Sequence, residues 1–415
     1  MYHKTTLDNG LRIVSEEISS VQSATIGIWV GSGARNETTE NLGVSHFIEH
    51  LLFKGSAKRS AKEIAETVDA VGGQLNAFTA KEYTCYYLKV ISKHLPLAMD
   101  ILSDMLFAPN FNPADIEKER EVILEEINMY EDSPDEIIHD LYMETVWPNH
   151  PLGRSILGNI HSMEQATEVS VRNYYHDNYV PANMVLAAAG NVSHEELVDL
   201  ANKYFGGYSG LLTAKQTLVL PDFKSDVFVK KRETEQLHIC LGTKGLAIDD
   251  EQAFTLNVLN TVLGGGLSSR LFQSIREDRG LAYSVYSYIS SYQDTGLFTL
   301  YAGTRPTNAQ EVVELMQSEM INLRDQGISP TELARAKEYI KGNLLLGLEN
   351  TSSRMTRLGK LELTLKRVMS IEEVIKRVEN VTSDDVAKLA RRLFRGDATC
   401  LTALGPLADK ITVIL

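Results

Sequence analysis

The chain has 415 residues, 43% hydrophobic and 23% charged, with a formal net charge of −14. That length exceeds one ordinary domain and predicts two of about 200 residues each, with apolar material for two cores. The negative charge argues against nucleic acid or an anionic membrane as the main partner, and no apolar run is long enough to span a bilayer. Cys85, Cys240 and Cys400 are scattered without a Cys-x-x-Cys pair, so neither a disulfide framework nor a zinc knuckle is supported. The first residues, MYHKTTLDNGLRIVSEE, read as strand, turn and strand around Asp8-Asn9-Gly10 rather than as the apolar core of a signal peptide. A reducing cytoplasm is the expected compartment.

Next in order, ATIGIWV reads as a strand over 24–30, ended by Gly31-Ser32-Gly33. A helix is expected over 40–54, stopped at Gly55, and Ser60 caps a second helix that Gly72-Gly73 terminates. QLNAFTAKEYTCYYLKVI, rich in Thr, Tyr, Phe and Val, predicts two strands with a break near Ala80-Lys81-Glu82. Helices are expected over 93–107, 113–132, 134–145 and 169–178, the last leading through Pro181 to the strand NMVLAAAG. Ser193 with Glu196 forms a capping box for a helix ending near Phe205. Residues 206–224 read as a linker between a first domain, 1–205, and a second, 225–415.

The second half repeats the first. HICLGTKG answers ATIGIWVGSG, and QAFTLNVLNTVLGG takes the place of the helix over 40–54. Near the two ends, VSVRNYYHDNYVPANMVLAAAGN matches VTSDDVAKLARRLFRGDATCLTALGP as helix, turn, apolar strand and glycine. The expected fold class is α+β: two duplicated domains, each a mostly antiparallel sheet packed by helices on one side.

Chemistry concentrates in His46-Phe47-Ile48-Glu49-His50. On a helix, positions i and i+4 lie about 40° apart, so both imidazoles project from one face, one turn apart. Two ring nitrogens so placed can reach one ion at about 2.0–2.1 Å. Glu49 lies beside them, within reach of a water to act as general base. The surrounding VSHFIEHLLF is apolar except for Ser45 and the three motif residues, and a buried carboxylate between imidazoles needs a partner such as a divalent cation. The bland alternative is two core histidines and a stray glutamate. His-x-x-Glu-His inverts the zincin order His-Glu-x-x-His and matches the inverzincin pattern.

Catalytic zinc usually takes three protein ligands and leaves a position open. In ADIEKEREVILEEINMYED, Ile116, Val122, Ile123 and Met129 predict an apolar stripe, with Glu119 and Glu126, seven residues apart, along its middle. Glu117, Glu121 and Glu125 point away. Glu126 is therefore the expected third ligand and Glu119 its neighbour, near the water or a ligand histidine; imperfect amphipathic patterning is the alternative. In the second half Asn257 and Asn260 stand roughly where the histidines would be, so that half carries no ligand set.

The segments SHFIEHLLFKG, EREVILEEI, GGQLNAFTAKEYTCYYL and SSRLFQSIREDRGLAYSV resemble the pitrilysin, insulysin and mitochondrial-processing-peptidase family of zinc peptidases, above all its shorter bacterial processing-protease members. The resemblance covers essentially the whole chain. It implies one zinc per chain on His46, His50 and Glu126, with Glu119 as accessory carboxylate. It implies that the edge strand around Asn76, Ala77, Phe78 and Thr79 pairs with extended substrate, and that Arg276 and Tyr283 contact substrate near the scissile bond. Asn76 also reads as an ordinary strand-end residue and Tyr283 as a plain strand tyrosine. The implied activity is a zinc metalloendopeptidase hydrolysing unfolded peptides or presequence-like segments inside a chamber enclosed by two subunits, so a homodimer is expected. A catalytically idle assembly or scaffold subunit, which this family also contains, and a non-peptidase metalloprotein are the alternatives.

Overall fold

Alternating β-branched segments and capped apolar helices follow one another along a computed structural model that describes residues 2–210, 212, 219–395, 398–406 and 411. Of the expected linker 206–224, residues 211 and 213–218 lie outside the described residues. The first half runs β1 (Tyr2–Thr6), β2 (Arg12–Glu17), β3 (Ser23–Val30), α1 (Val44–Leu52), α2 (Ala61–Asp69), β4 (Gln74–Thr79), β5 (Thr84–Ile91) and α3 (Leu95–Phe107). It continues through α4 (Pro113–Glu131), α5 (Pro134–Val146), α6 (Ile160–Gln165), α7 (Glu168–Asn178), β6 (Met184–Gly190) and α8 (His194–Phe205). The second half runs β7 (Val227–Lys231), β8 (Leu237–Lys244), α9 (Ala253–Leu263), a π-helical turn (Phe272–Glu277), β9 (Ala282–Ser291) and β10 (Gly296–Thr304). Then come α10 (Ala309–Gln326), α11 (Pro330–Gly347), α12 (Thr351–Leu365), α13 (Ile371–Asn380), α14 (Ser383–Leu393) and β11 (Thr399–Gly405). The short helix α6 was not among the expected elements.

One sheet is ordered β1-β2-β6-β3-β5-β4 and the other β7-β11-β8-β10-β9. In the first only β2 and β6 run parallel, and in the second only β7 and β11. Setting β1 aside, the two sheets share one topology, so the duplication read from sequence is a duplication of architecture. The class is α+β, with each mostly antiparallel sheet packed by helices.

The chain divides into two compact units that are not its two halves. The first comprises residues 1–128, 154–218 and 347–370; the second comprises 129–153, 219–346 and 371–415. This differs from the contiguous division into 1–205 and 225–415, and two helices account for it. In the first unit, α12 lies across β2, β3 and β6. There Met355 and Leu358 pack with Val14, Trp29, Cys85, Val185, Ala187 and Ala189. In the second unit, α5 covers β8 and β11, with Ile138, Tyr142 and Val146 against Cys240, Cys400 and Leu404. Each sheet thus carries a helix on its second face as well, where the expectation of helices on one side left that face open.

Polar contacts also hold α12 in place. Glu362 is fully buried and receives Lys4 Nζ at 2.7 Å and Arg12 Nη1 at 3.2 Å. The Trp29 indole N–H donates to Met355 Sδ at 3.4 Å. Gly359 lets the helix approach, because a Cβ there would overlap the Trp29 indole. The main core of the first unit lies on the other face of the sheet, where α1 contributes Phe47, Ile48 and Leu51, α3 contributes Leu102 and Met105, and α8 contributes Leu197 and Phe205.

Candidate functional site

The helix bearing the motif begins four residues later than its pattern predicts, and the reason is local. Gly43 stands at its N-cap with φ +83°, a conformation that glycine tolerates, and it has no side chain with which to cap. Glu37 does that work from outside the helix: its carboxylate accepts the Gly43 N–H at 2.7 Å and the Ser45 N–H at 2.9 Å. Burial pushes the Glu37 carboxyl up to about 7, against the lowering effect of those backbone donors. Nearby, Arg154 Nη1 donates to the Glu37 carbonyl at 2.9 Å, and Lys81 Nζ donates to the Arg154 carbonyl.

From this anchored end α1 presents His46 and His50 one turn apart, with ring centroids 4.6 Å from each other. Glu126 of α4 meets them: its Oε2 lies 3.8 Å from His46 Nε2 and 3.6 Å from His50 Nε2. Three ligand atoms from His46, His50 and Glu126 all lie within 4.8 Å of one another, and no other such group of His, Cys, Asp or Glu occurs among the described residues. Ligands at about 2.0–2.1 Å from a shared tetrahedral ion stand about 3.3 Å apart, so small side-chain rotations bring this set to bonding distance. The donor chemistry fits too. Burial, then the nearby His50, lowers His46 to about 3, so it is a neutral imidazole with a lone pair to offer. Two imidazoles and a carboxylate are a ligand set found at catalytic zinc.

Around that set the structure places further groups. Glu119 is nearly buried, with Oε2 3.2 Å from His50 Nδ1 and Oε1 2.7 Å from Lys54 Nζ. A carboxylate on the far nitrogen of an imidazole fixes its tautomer and ring orientation. Glu49 stands outside the ligand group, and Thr79 Oγ1 donates to its Oε2 at 2.6 Å. Burial raises the Glu49 carboxyl, and the Thr79 hydroxyl opposes that rise.

The glutamates of α4 sort as expected, but the stripe beside them does not. Ile116, Glu119, Ile123 and Ile127 are the buried residues, while Val122 is 49% and Met129 71% exposed. At about 100° per residue, Val122 and Met129 fall some 100° or more from Ile123, past the two glutamates. Glu119 and Glu126 therefore edge the buried stripe instead of bisecting it, which leaves the Glu126 side chain 42% exposed.

β4 is an edge strand, paired with β5 alone. Leu75 and Ala77 pack toward the core shared with α1, whereas Phe78 turns to the other face and stacks edge-on with Trp29 at 5.5 Å. The Asn76 amide oxygen accepts from the Ala77 N–H at 2.8 Å. Arg276 and Tyr283, in the second unit, are brought together with each other. The guanidinium stands 4.9 Å from the Tyr283 ring and 4.7 Å from that of Phe272, and Tyr283 is 78% exposed. In the same unit Asn257 bonds the Ala253 carbonyl and Asn260 accepts from Ser287 Oγ at 2.7 Å, so both serve local structure.

The sequence singles out neither Lys54 nor Glu37, and it marks Thr79 only as part of the docking strand and not as a partner of Glu49. Lys54 has a usable signal, lying four residues beyond His50 just past the end of α1 at Leu52, and Thr79 shares a strand face with Ala77. Glu37 has none, since its partners are backbone groups across a loop.

Comparison with known proteins matches residues 12–160 to the family "Insulinase (Peptidase family M16)" and residues 166–340 to "Peptidase M16 inactive domain". A Bacillus subtilis protein named "Uncharacterized zinc protease YmxG" is 47% identical over 398 residues, covering 96% of this chain and 97% of its own. A crystal structure of a protease from Helicobacter pylori superposes with TM-score 0.90 at 22% identity, covering 98% of this chain and 99% of that one. Another, titled as a peptidase M16 inactive domain from Pseudomonas fluorescens, gives 0.91 at 19% identity over 99% and 100%. Those two likenesses show a shared fold alone. The sequence relationships show more: the chain belongs to the M16 peptidase family.

Proposed function

We propose that this chain is a zinc-dependent endopeptidase acting on unfolded peptides, presequence-like segments among them. One observation carries the reading: ligand atoms of His46, His50 and Glu126 gather within 4.8 Å of one another while a fourth side chain, Glu49, stands beside them, hydrogen-bonded and not part of the ligand group. Zinc held there supplies Lewis-acid polarisation of a carbonyl and acidifies water. The chain's own residues supply the rest. Glu49 takes a proton from the attacking water at its free oxygen as the new C–O bond forms, then returns it to the nitrogen as the C–N bond breaks. Glu119 holds His50 in orientation through Nδ1.

The outer edge of β4 offers unpaired backbone groups to an extended chain, so Asn76, Ala77 and Phe78 would bind through main chain more than side chain. Specificity is then broad, and stable folded proteins are spared. Arg276 and Tyr283 are proposed as further substrate contacts, and two identical chains as the working assembly in the cytoplasm. A catalytically idle subunit is the second reading. The "inactive domain" description favours it only for the second half of the chain, where no ligand group occurs among the described residues.

The deciding experiment loads the purified chain with zinc and maps cleavage of a mixed unfolded peptide library by mass spectrometry. Chelation should abolish cleavage and zinc restore it. Glu49→Gln should keep the metal and lose at least about 10²-fold in turnover, the low end for acid–base catalysis. A folded, zinc-loaded chain that cuts nothing would leave the idle reading in place.

A further inference from the structure

Thr79 joins two parts of the molecule that the peptidase reading uses separately. It is the last residue of β4, the strand proposed to receive peptide, and its hydroxyl donates to Glu49 Oε2 at 2.6 Å. Among the described residues no other hydrogen bond to the Glu49 carboxylate is present, so this contact alone fixes which oxygen is held and which is free. Strand alternation sets Thr79 on the same face as Ala77 and Leu75, the face that α1 packs against. The residue type matters as well. A β-branched side chain is stiff about χ1, so a threonine aims its hydroxyl where a serine would swing.

The backbone on either side of Thr79 is held unequally. On its C-terminal side the turn is pinned: the Ala80 N–H bonds the Tyr83 carbonyl at 2.8 Å, Ala34 N–H bonds the Ala80 carbonyl at 3.2 Å, and Arg35 N–H bonds the Lys81 carbonyl at 2.7 Å. On its N-terminal side β4 is paired along one edge only. A peptide added along the open edge would brace the strand from the other side.

We propose that Thr79 is a positioning residue for the general base: it holds one oxygen of Glu49 and turns the other toward the water, and peptide docking on β4 tightens that hold. This rests on the peptidase reading above, deepening it from a base beside a metal to a base coupled to the docking strand. It predicts an effect on turnover with little on substrate affinity, because the hydroxyl touches Glu49 and not the peptide.

The test compares full-length, zinc-loaded wild type with Thr79→Val, which keeps the branched shape, and Thr79→Ser, which keeps the hydroxyl. Thr79→Ala replaces the valine variant should that one fail to accumulate. Steady-state rates on an internally quenched unfolded peptide, zinc content and crystal structures are the readouts. Thr79→Val should lower kcat about ten- to hundredfold, the weight of a hydrogen bond to a charged group, with KM within about twofold and full zinc. Thr79→Ser should recover most of the loss, and the Glu49 carboxylate should be displaced in the valine crystal and held in the other two. Equal kcat in wild type and Thr79→Val, or a serine variant no better than the valine one, would overturn the proposal. Should the wild type itself cut no peptide, the peptidase reading fails, and the crystals still decide the contact: a Glu49 unmoved in Thr79→Val refutes positioning, and a displaced one supports it.

Discussion

Substituting Glu119 by glutamine tests how far the ligand set depends on what surrounds it. The carboxylate serves two partners at once, with Oε2 3.2 Å from His50 Nδ1 and Oε1 2.7 Å from Lys54 Nζ. An amide cannot serve both. If its oxygen faces His50, its NH2 group is pressed against the Lys54 ammonium; if the oxygen faces Lys54, two donors oppose each other at His50. The lysine side of the loss costs little in folding, about 0–1 kcal/mol, because Lys54 is 37% exposed and keeps its water. The histidine side falls on metal affinity, since loss of an outer partner to a ligand imidazole typically costs 10–100-fold, or about 1.4–2.8 kcal/mol. Zinc competition against a chromophoric chelator reads the second quantity, and thermal denaturation of the metal-free protein reads the first. A well-folded Glu119→Gln protein that binds zinc within about threefold of wild type would refute the reasoning.

Glu126→Gln should weaken zinc binding sharply whereas Glu125→Gln, about 100° round α4 and exposed to solvent, should titrate like wild type; the reverse result would break the assignment of the ligand. For Glu37, a folded-state carboxyl at about 7 against the ordinary 4.5 means that the folded chain holds a proton that the unfolded chain has released between those values. Stability from this group is therefore full below 4.5 and falls by about 3 kcal/mol as pH rises through 7. Glu37→Gln removes that slope, so urea unfolding of metal-free protein should show the variant gaining on wild type between pH 5 and pH 8, and a gap independent of pH would contradict it. Gly359→Ala forces a methyl into the Trp29 indole and should cost about 1–3 kcal/mol of stability by thermal denaturation. An unchanged transition would mean that α12 is not seated on the sheet as described.

What could be read from the chain alone follows the reach of each signal. His46 and His50 are a local pattern, four residues apart on one helix, and the structure sets them on one side of α1 facing Glu126. Periodicity points to Glu126, yet two of the apolar residues that define the pattern, Val122 and Met129, are not buried. Apolar character shows that a side chain can be buried, not that it is. The same limit explains α5 and α12. Each carries an apolar face, but nothing in Ile138 or Met355 states which sheet that face will meet, and both meet one built mostly from the other half of the chain. Thr79 acts through one hydrogen bond to a residue on another element, and Glu37 through two bonds to backbone N–H groups across a loop, and no composition or spacing marks such bonds in advance.

The placement of α12 also sets the order in which the chain can be completed on a ribosome. All six strands of the first sheet have been synthesised by residue 190, but the helix that closes their second face begins at Thr351. At translation rates of about 5–20 residues per second, that face, with Trp29, Val185 and Ala187 upon it, waits on the order of ten seconds in water. The nascent first unit thus keeps apolar sheet surface uncovered throughout that interval, and α5 waits likewise for strands not yet made. A premature stop between Gly190 and Thr351 would release a chain with its ligand residues intact and an apolar sheet face open, which invites aggregation or proteolysis before any chemistry can begin.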